Sequence, residues 1–454
     1  MRCESVILAA GLGTRMKSSR PKVLHPLCGL PLIAYSVDAC RQATGSEPVV
    51  VVPPDAEEIR QACAPGVEFV EQENPLGTGH ALMQAAGRLP GRSELVLATS
   101  ADMALLRAET LADLVEHGRR HPGPITLLTA ISPVSRGFGR LLRDEGGGIV
   151  GILEEAHADE KQKAIEELNV GAYVFRSDWL WEQLPRLPRS AKGEYYLTDL
   201  VAIAARAGEP IEAVHVADLD EIIGINTREH LAEAEAALRR RINRHWLESG
   251  VSLQDPATTY IGPRVILGAE TFISANTHLE GATSIGEACR LGPNTIVRDS
   301  RIGARCEIEM SVLEGAVLED EVSVGPFAHL RRGAYLCQGV HVGNFGEVKD
   351  SRLEAGVKMG HFSYIGDASI GENVNIGAGT ITCNFDGERK QRTEIGDGAF
   401  IGSDTMLVAP VRVGRGSRTG AGSVVTRDVP DGSVAVGVPA RVIRKQEVGK
   451  DPNA

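Results

Sequence analysis

The fold is decided by residues 359–382, which read MGHFSYIGDASIGENVNIGAGTIT. In this stretch an aliphatic residue or Met is followed directly by Gly every five or six residues, and the unit recurs with interruptions from about Ile261 to Val425. A six-residue step does not match the roughly 3.6-residue period of an amphipathic helix, but it is typical of a solenoid. The aliphatic residue faces a narrow interior, Gly turns the corner without a Cβ clash, and stacked coils of three units bury a continuous core. The repeat therefore predicts a left-handed parallel β-helix.

Residues 1–226 have the alternating pattern of an α/β domain. The apolar runs SVILAA, PVVVV, ELVLATSAD and ITLLTAI have the length and composition of buried strands. Segments with helical spacing, such as HALMQAAGRL and AETLADLVEHGRR, lie between them. This alternation predicts a Rossmann-like, mostly parallel sheet covered by helices, with ligands beyond the carboxyl ends of the strands. We therefore predict an α/β domain over 1–226, a linker helix over 227–249 and the β-helix over 250–454.

Composition narrows the class of protein. The formal net charge of −12 argues against a general nucleic-acid role. The eight cysteines are scattered without a C-x-x-C pair, so reduced, buried thiols are expected. No basic leader and no apolar run long enough to span a bilayer occurs in the sequence. These features predict a soluble cytoplasmic protein that neither inserts into membranes nor binds nucleic acid.

A glycine-rich segment, ILAAGLGTRMKSSRPKVLHPL, follows the first predicted strand. Gly11 and Gly13 allow close approach of the backbone, whose successive N–H groups can form an anion-binding nest. Arg15 and Lys22 add positive charge at the same place. The spacing is neither that of a P-loop nor that of G-x-G-x-x-G. The segment predicts a binding site for the phosphates of a nucleoside triphosphate.

This segment resembles the signature of sugar-nucleotide pyrophosphorylases, G-x-G-T-R-M followed by P-K. LGTGHA (76–81), GFGR (137–140), GEYYLTDL (193–200) and GIN (224–226) also fit. With the C-terminal repeat, nearly the whole chain resembles the bacterial family of bifunctional N-acetylglucosamine-1-phosphate uridylyltransferase/glucosamine-1-phosphate acetyltransferases. The resemblance implies acetyl transfer from acetyl-CoA in the C-terminal half, then UMP transfer from UTP in the N-terminal half. It also implies a Mg²⁺ requirement, a homotrimer, and a product, UDP-N-acetylglucosamine, that feeds peptidoglycan and lipopolysaccharide synthesis.

The resemblance assigns the residues of the uridylyl site. UTP is expected against Leu8, Ala9, Ala10, Gly11, Arg15, Lys22, Gln72, Gly77 and Thr78, the last three at uracil. The sugar phosphate is expected against Gly139, Glu154, Asn169, Tyr195 and Thr198. Asp102 and Asn226 would bind Mg²⁺, which favours one or two protein oxygens together with substrate phosphates. On pattern alone, Asp102 could instead cap the helix that follows its strand. The family's Tyr-Gly-Asp is Ser100-Ala101-Asp102 in this chain.

A second candidate site lies in the repeat. His361 follows a repeat Gly, and histidine is a suitable general base for an amine nucleophile because its usual pKa is near neutrality. A lone His on a coil is more often structural, an interpretation that fits His329 and His341. The resemblance assigns glucosamine-1-phosphate to Arg331, Lys349, Tyr364 and Asn375. It assigns acetyl-CoA to Ala378, Asn384, Phe385, Ser403 and Ala421, with Asn384 also beside the sugar. The family's Arg-Pro-Gly is Arg331-Arg332-Gly333, and its Asn-Tyr-Asp-Gly has Phe385 in place of Tyr.

Two points stay open at the level of sequence. The insertion CNFDGERKQRT (383–393) carries three basic residues that could meet the phosphates of CoA on a neighbouring subunit, or could form a solvated loop. The chain could also be a nucleotidylyltransferase of other specificity with an acyltransferase tail, or a non-catalytic regulatory homologue. The presence of Arg15, Lys22, Asp102, Asn226 and His361 favours an enzyme, because a scaffold does not need them.

Overall fold

A computed structural model describes residues 1–11, 13–89 and 91–445. The chain divides into two compact units, with the boundary between Leu238 and Arg239. The α/β fold followed by a parallel β-helix is confirmed. Within the described residues, no helix is both long and apolar enough to cross a membrane.

The first unit is built on a nine-stranded sheet. The main path runs in the order Ile211–His215, Ile125–Ile131, Glu167–Arg176, Leu95–Ser100, Cys3–Leu8, Val49–Val52, Glu68–Glu71. Neighbouring strands are parallel, except that Glu167–Arg176 is antiparallel to both its neighbours. A hairpin of Arg140–Arg143 and Ile149–Leu153 joins through a single pairing of Leu168 with Arg140. A small separate hairpin pairs Pro26–Leu27 with Leu30–Pro31.

Helices cover both faces of this sheet. The α-helices of the unit are Leu32–Thr44, Glu57–Ala62, Thr78–Met83, Ala108–Arg120, Glu160–Lys163, Ser177–Gln183 and Asp199–Arg206. Short 3-10 helices lie at Thr14–Met16, Lys22–Leu24, Gln84–Gly87, Glu155–His157 and Leu184–Arg186. Successive side chains of a strand point to opposite faces, so Val50 and Leu97 join one core cluster while Val51 and Val96 join the other. Burial on both faces explains why these strands are continuous apolar runs.

The second unit is a three-sided stack of coils. The first sheet contains Ser252–Leu253, Phe272–Ile273, Arg290–Leu291, Glu307–Ile308, Ser323–Val324, His341–Val342, Lys358–Met359, Asn375–Ile376, Phe400–Ile401, Arg418–Thr419, Ser433–Gly437 and Ala440–Lys445. The second contains Tyr260–Ile261, His278–Glu280, Ile296–Arg298, Val312–Glu314, His329–Leu330, Gly346–Lys349, Ser363–Gly366, Ile381–Cys383, Met406–Val408 and Val424–Val425. The third contains Ile266–Leu267, Ser284–Ile285, Arg301–Ile302, Val317–Leu318, Tyr335–Leu336, Arg352–Leu353, Ala368–Ile370, Thr393–Ile395 and Val411–Val413. The pairs between coils are parallel, and among the strands up to residue 445 only the last two of the first sheet are antiparallel to each other.

The aliphatic residue of each repeat unit lies inside the stack. Ile285, Ile302, Leu318 and Leu336 are buried in consecutive coils and belong to one core cluster that runs through the unit. The glycine after it is required where coils approach closely. A Cβ added at Gly343 would lie 2.0 Å from the carbonyl oxygen of Gly360 in the next coil. The repeat is therefore a packing requirement of this fold.

The predicted helix over 227–249 is present as Arg228–Glu248. Thr227 caps it, because its Oγ1 accepts a hydrogen bond from the backbone N–H of His230 at 3.2 Å. In the first unit, Glu233 forms an ion pair with Arg136. In the second unit, the amide of Asn243 donates to the carbonyl oxygens of Pro256 and Thr259. The domain boundaries at 226/227 and 249/250 stay predictions.

The insertion over 383–393 folds back against the preceding coil. The amide nitrogen of Asn384 donates to the Asp367 carboxylate, and the Lys390 ammonium lies 3.9 Å from the same carboxylate. Arg392 donates to the hydroxyl of Ser369 at 3.0 Å. The acidic Asp367, one coil earlier, thus holds one side of the loop, and the two sequence-based interpretations of its basic residues stay predictions.

Candidate active sites

A cleft of about 440 Å³ lies at the carboxyl ends of the central strands of the first unit. The strands that end in Leu8 and Ser100 are parallel neighbours with these two residues in register, so the segments that follow them meet at one edge. The cleft is lined by Leu8, Ala10, Gly11, Gly13, Thr14, Arg15, Lys22, Gln72, Pro75, Gly77, Thr78, Ala81, Ser100, Asp102, Glu194 and Asn226. All but one of the predicted UTP residues are in this set.

The exception is Ala9. Its side chain is buried in a core cluster, and its N–H donates to the carbonyl oxygen of Val51 at 2.8 Å. Ala9 and Ala10 directly follow strand Cys3–Leu8, and their side chains continue its alternation, because they belong to the core clusters on opposite faces of the sheet. The alternation of an extended segment, applied residue by residue, predicts this difference.

The glycine-rich segment brings its two basic residues to the cleft. Gly13 has φ +60°, and a Cβ there would lie 2.7 Å from the Cβ of Lys22. Only glycine permits this close approach together with that backbone conformation. The turn therefore places the start of the 3-10 helix Thr14–Met16, and with it Arg15, on the same side as Lys22.

Lys22 forms the centre of a polar cluster in the cleft. Its ammonium lies 2.7 Å from Oδ2 of Asp102 and 3.0 Å from Oδ1 of Asn226, which also accepts from Arg15 at 2.9 Å. Burial raises the pKa of Asp102, but the charge and hydrogen bonds of Lys22 outweigh it and hold that pKa below the usual value. The following helix begins at Ala108 with Arg107 as its N-cap, so Asp102 does not cap it. Asp102 is therefore an ionised carboxylate within the cleft.

The two predicted metal ligands meet at one point. The Lys22 ammonium lies within 3.0 Å of both the Asp102 and the Asn226 oxygen, so it occupies the position where a metal cation would bind. One carboxylate and one amide oxygen suit Mg²⁺ when phosphates and waters complete the octahedron. Across the described part of the chain, no group of three or more His, Cys, Asp or Glu could hold a metal ion alone. These residues fit a metal that arrives with its nucleotide.

Four of the predicted sugar residues form hydrogen bonds that fix their positions. Thr198 donates to Oε1 of Glu154 at 2.8 Å. The side-chain amide of Asn169 donates to the buried hydroxyl of Tyr173 at 2.7 Å, and its backbone N–H donates to the Gly139 carbonyl at 2.9 Å. Gly139, Asn169, Glu154 and Thr198 are thus each held by a specific partner.

Tyr195, the fifth predicted sugar residue, lies beside the segment 76–80. Its backbone N–H donates to the Leu76 carbonyl, and its carbonyl accepts from Gly79. Its ring stacks beside His80 with 6.3 Å between ring centroids. These contacts put Tyr195 next to the segment that was predicted to hold uracil.

Arg140 has a structural role that was not predicted from the sequence. It is the last residue of GFGR, and its side chain is almost fully buried. The guanidinium forms an ion pair with Oε2 of Glu155 at 2.6 Å and donates to the Lys163 carbonyl at 3.3 Å. It thereby ties the Gly139 turn to the segment that follows Glu154. The motif alone was not enough to find this role, because both partners are distant in sequence.

His361 lies on a corner of the β-helix, between strands Lys358–Met359 and Ser363–Gly366. It is exposed, and its ring makes no hydrogen bond with any residue that the structure describes. His329 and His341, by contrast, contact Glu314 at 3.3 Å and Ser323 at 2.8 Å. These partners support the structural interpretation of the two earlier histidines and leave His361 available.

The predicted acetyl-CoA residues Ala378, Ser403 and Ala421 occupy the same corner in the next three coils. Each follows a repeat glycine, as His361 does. The coils are joined here by backbone hydrogen bonds from Asp404 to Ala378 at 2.6 Å and from Gly422 to Ser403 at 2.8 Å. At about 4.8 Å per coil, the four residues form a row along the β-helix. We call it the corner row.

Four of the other predicted residues lie on the second sheet or directly after its strands. Arg331 and Lys349 follow one another in adjacent coils and line a cleft of about 290 Å³ with Arg298, Asp299, Glu314, Gly315 and Arg332. The adjacent Lys390 ammonium lowers the pKa of Lys349. The Tyr364 hydroxyl lies 3.4 Å from the Asn384 amide nitrogen. This face combines a basic cleft with a phenol and an amide.

Two predicted residues are not brought into this group. Asn375 lies on the first sheet, paired with Lys358 and Phe400, and is therefore on the other side of the corner. Phe385 is exposed on the insertion. The repeat pattern places each residue in a coil, but it does not show on which side of a corner a substrate lies.

Comparison with known proteins agrees with both halves. Residues 5–248 match the MobA-like NTP transferase domain, and residues 392–427 match the bacterial transferase hexapeptide (six repeats). Bifunctional protein GlmU of Heliobacterium modesticaldum is 46% identical over 447 residues, 98% of each chain. The GlmU of Pelobacter propionicus is 46% identical over 445 residues, 97% of each chain. That of an Exiguobacterium species is 43% identical over 433 residues, 95% of this chain and 96% of the relative. The resemblance drawn from the motifs is confirmed, and the chain belongs to the GlmU family of bifunctional proteins.

Proposed function

We propose that this chain acetylates glucosamine-1-phosphate with acetyl-CoA and then transfers UMP from UTP to the product, releasing UDP-N-acetylglucosamine and pyrophosphate. The observation that carries the proposal is the presence of two separate sites in one chain. One has the cations and the paired oxygens of a nucleotidyl site, Lys22 with Asp102 and Asn226. The other has the exposed imidazole of His361, which makes no hydrogen bond with the described residues, on one corner of the β-helix, and a basic cleft that contains Arg331 and Lys349.

Uridylyl transfer needs little from the protein except positioning and charge compensation. Arg15 and Lys22 neutralise the triphosphate, while Asp102 and Asn226 would hold Mg²⁺ as the nucleotide binds. The ion, when bound, offsets charge on the phosphates as pyrophosphate leaves. The nucleophile is a sugar-phosphate oxygen that is already ionised, so no general base is required. Glu154 and Asn169, fixed by their own partners, orient the sugar toward the α-phosphorus.

Acetyl transfer needs a base because an ammonium cannot attack a thioester. His361 is exposed at the head of the corner row and takes the proton from the sugar amine. The remaining members of the row are Ala378, Ser403 and Ala421, whose small side chains leave room for the extended arm of acetyl-CoA. Arg331 and Lys349 bind the sugar phosphate in the basic cleft.

A coupled assay tests the whole proposal. The full chain is given glucosamine-1-phosphate, acetyl-CoA, UTP and Mg²⁺, and both products are quantified by mass spectrometry. Turnover is expected only when the acetyl step precedes the uridylyl step. Preference for TTP or glucose-1-phosphate would favour a nucleotidylyltransferase of other specificity, and no turnover with any pair would favour a regulatory homologue.

We also propose that the chain acts as a homotrimer. Phe327, Phe345 and Phe362 lie one coil apart at the corner that contains His361, and they are 54%, 60% and 57% exposed. The rings of Phe327 and Phe345 stack, with 5.4 Å between their centroids. An exposed stripe of aromatic side chains is costly in water and is typical of a contact surface. A second copy of this chain is the natural cover, since closed homo-oligomers repeat the same surface.

Replacing Phe345 by aspartate should therefore dissociate the trimer. A charge on the stripe must be desolvated at the contact, so we expect the mass from light scattering to fall toward that of one chain. Acetyl transfer should fall with it over a dilution series, while uridylyl transfer persists. Ile266→Asp, at an exposed position on the third sheet, is the matched control. A Phe345→Asp variant that keeps both trimer mass and acetylation would contradict the proposal.

A further inference from the structure

The amide of Gln72 is held by two contacts on the same nitrogen. Gln72 follows strand Glu68–Glu71, is only 5% exposed and lines the nucleotide cleft. Its Nε2 lies 3.2 Å from the Gly77 carbonyl oxygen and 2.9 Å from Nδ1 of His80. The orientation of this amide matters, because its two ends have opposite hydrogen-bonding character.

The Gly77 carbonyl is a fixed reference for that orientation. It accepts the N–H of Ala81 at 3.0 Å, the first hydrogen bond of helix Thr78–Met83. A carbonyl oxygen can only accept, so the NH₂ end of Gln72 must face it. The amide oxygen is then turned away from the helix, and it is the group that Gln72 can present to a base in the cleft.

His80 determines whether this orientation is favourable. With one amide hydrogen on Gly77, the other points to Nδ1, which must accept and therefore carries no proton. Nε2 of His80 then carries the proton. It lies 3.3 Å from the amide nitrogen of Gln84, which also donates to the backbone carbonyl of His80 at 3.0 Å. Gln84 and His80 are both only half-buried, so Gln84 can move away from the ring and leave the Nε2 proton to solvent. Gln72, enclosed by its surroundings, cannot move in the same way.

We infer that His80 is a positioning residue for nucleobase selection: its Nδ1 lone pair fixes Gln72 with the amide oxygen toward the base, and this selects uracil over cytosine. The inference rests on the proposed uridylyl transfer. Uracil has an N–H at position 3 that this oxygen can accept. Cytosine has a lone pair there, which the oxygen repels. To read cytosine, Gln72 would have to rotate by half a turn and bring its oxygen against the Gly77 carbonyl.

The inference predicts that loss of His80 weakens the selection of UTP over CTP but not that of UTP over TTP. In His80→Leu the acceptor is lost, Gln72 is held by Gly77 alone, and the kcat/KM ratio of UTP over CTP should fall about tenfold or more. A site that loses a hydrogen-bonding constraint rejects the wrong ligand less strongly. The ratio of UTP over TTP should stay within about twofold, because thymine keeps the same N–H.

Two further variants separate selection from general damage. His80→Asn places an amide oxygen near the position of Nδ1, and we expect it to retain most of the UTP-over-CTP ratio. Gln84→Ala removes the contact on the other ring nitrogen and should leave the ratio unchanged. Acetyl transfer by the second unit, measured on the same samples, reports the amount of intact protein. An unchanged UTP-over-CTP ratio in His80→Leu would overturn the inference.

The ring proton gives an independent test that needs no folded His80→Leu variant. Two-bond ¹H–¹⁵N spectra of the full chain, labelled at histidine, distinguish the two neutral tautomers, and His80 is assigned by the signal missing from His80→Asn. We expect the proton on Nε2. A proton on Nδ1 would overturn the inference even if UTP is turned over. A parent chain that turns over acetyl-CoA but no UTP would instead remove the proposed uridylyl transfer.

Discussion

Replacing His361 by alanine should lower acetyl transfer by about 10²–10⁴-fold, the usual contribution of a general base, and should leave uridylyl transfer unchanged. The reason is that the imidazole is exposed at the head of the corner row and is not engaged by the residues the structure describes around it. The measurement is thiol release from acetyl-CoA with glucosamine-1-phosphate, beside pyrophosphate release from UTP with N-acetylglucosamine-1-phosphate.

Two other histidines of the β-helix provide controls for this prediction. His341→Ala removes an imidazole that contacts the Ser323 hydroxyl, and His329→Ala removes one that contacts Glu314. Both should affect stability more than chemistry. Near-normal acetylation by His361→Ala would show that the amine loses its proton to solvent or to another group, and His361 would then be a structural residue of the coil.

Asp102→Ala should reduce Mg²⁺-dependent formation of the UDP-sugar by roughly 10³-fold, since several kcal/mol of charge stabilisation are lost. The Asn226 oxygen that remains is neutral and is a weaker ligand for a hard cation. Pyrophosphate release across a magnesium titration is the measurement. Acetyl transfer should persist, because its residues lie in the other unit.

Asp102→Asn refines the same test. It keeps an oxygen near the Lys22 ammonium but removes the charge, so activity should be partly restored at high Mg²⁺. If Asp102→Ala matches the parent rate at every magnesium concentration, Asp102 serves only to hold Lys22 in place. The ion pair of 2.7 Å between the Lys22 ammonium and Oδ2 of Asp102 supports that alternative.

The β-helix could be predicted because the residues that determine it lie within each repeat unit. A buried aliphatic residue and a corner glycine are local features, and Gly343 is irreplaceable for a reason contained within two neighbouring coils. The nucleotide cleft could be predicted from the glycine-rich segment and the strand end at Asp102, because parallel strands end together.

What the sequence did not disclose depends on contacts between distant residues. Arg140 is buried by its contacts with Glu155 and Lys163. Lys22 was expected at the phosphates, yet its ammonium also lies between the oxygens of the two predicted metal ligands. The side of the corner on which Asn375 lies follows from coil geometry that no motif contains.

The register of the coils has a consequence for how such a protein can change in size. Ile381 pairs directly with Met406 although the whole insertion lies between them, so extra chain at a corner is looped out and the strands beyond it are not displaced. Each coil touches only the coils before and after it. Duplicating one coil between His361 and Ala421 would move the two apart by about 4.8 Å. The distance between His361, the proposed base, and Ala421, a predicted acetyl-CoA contact, is thus set by the number of coils between them and can change only in steps of one coil.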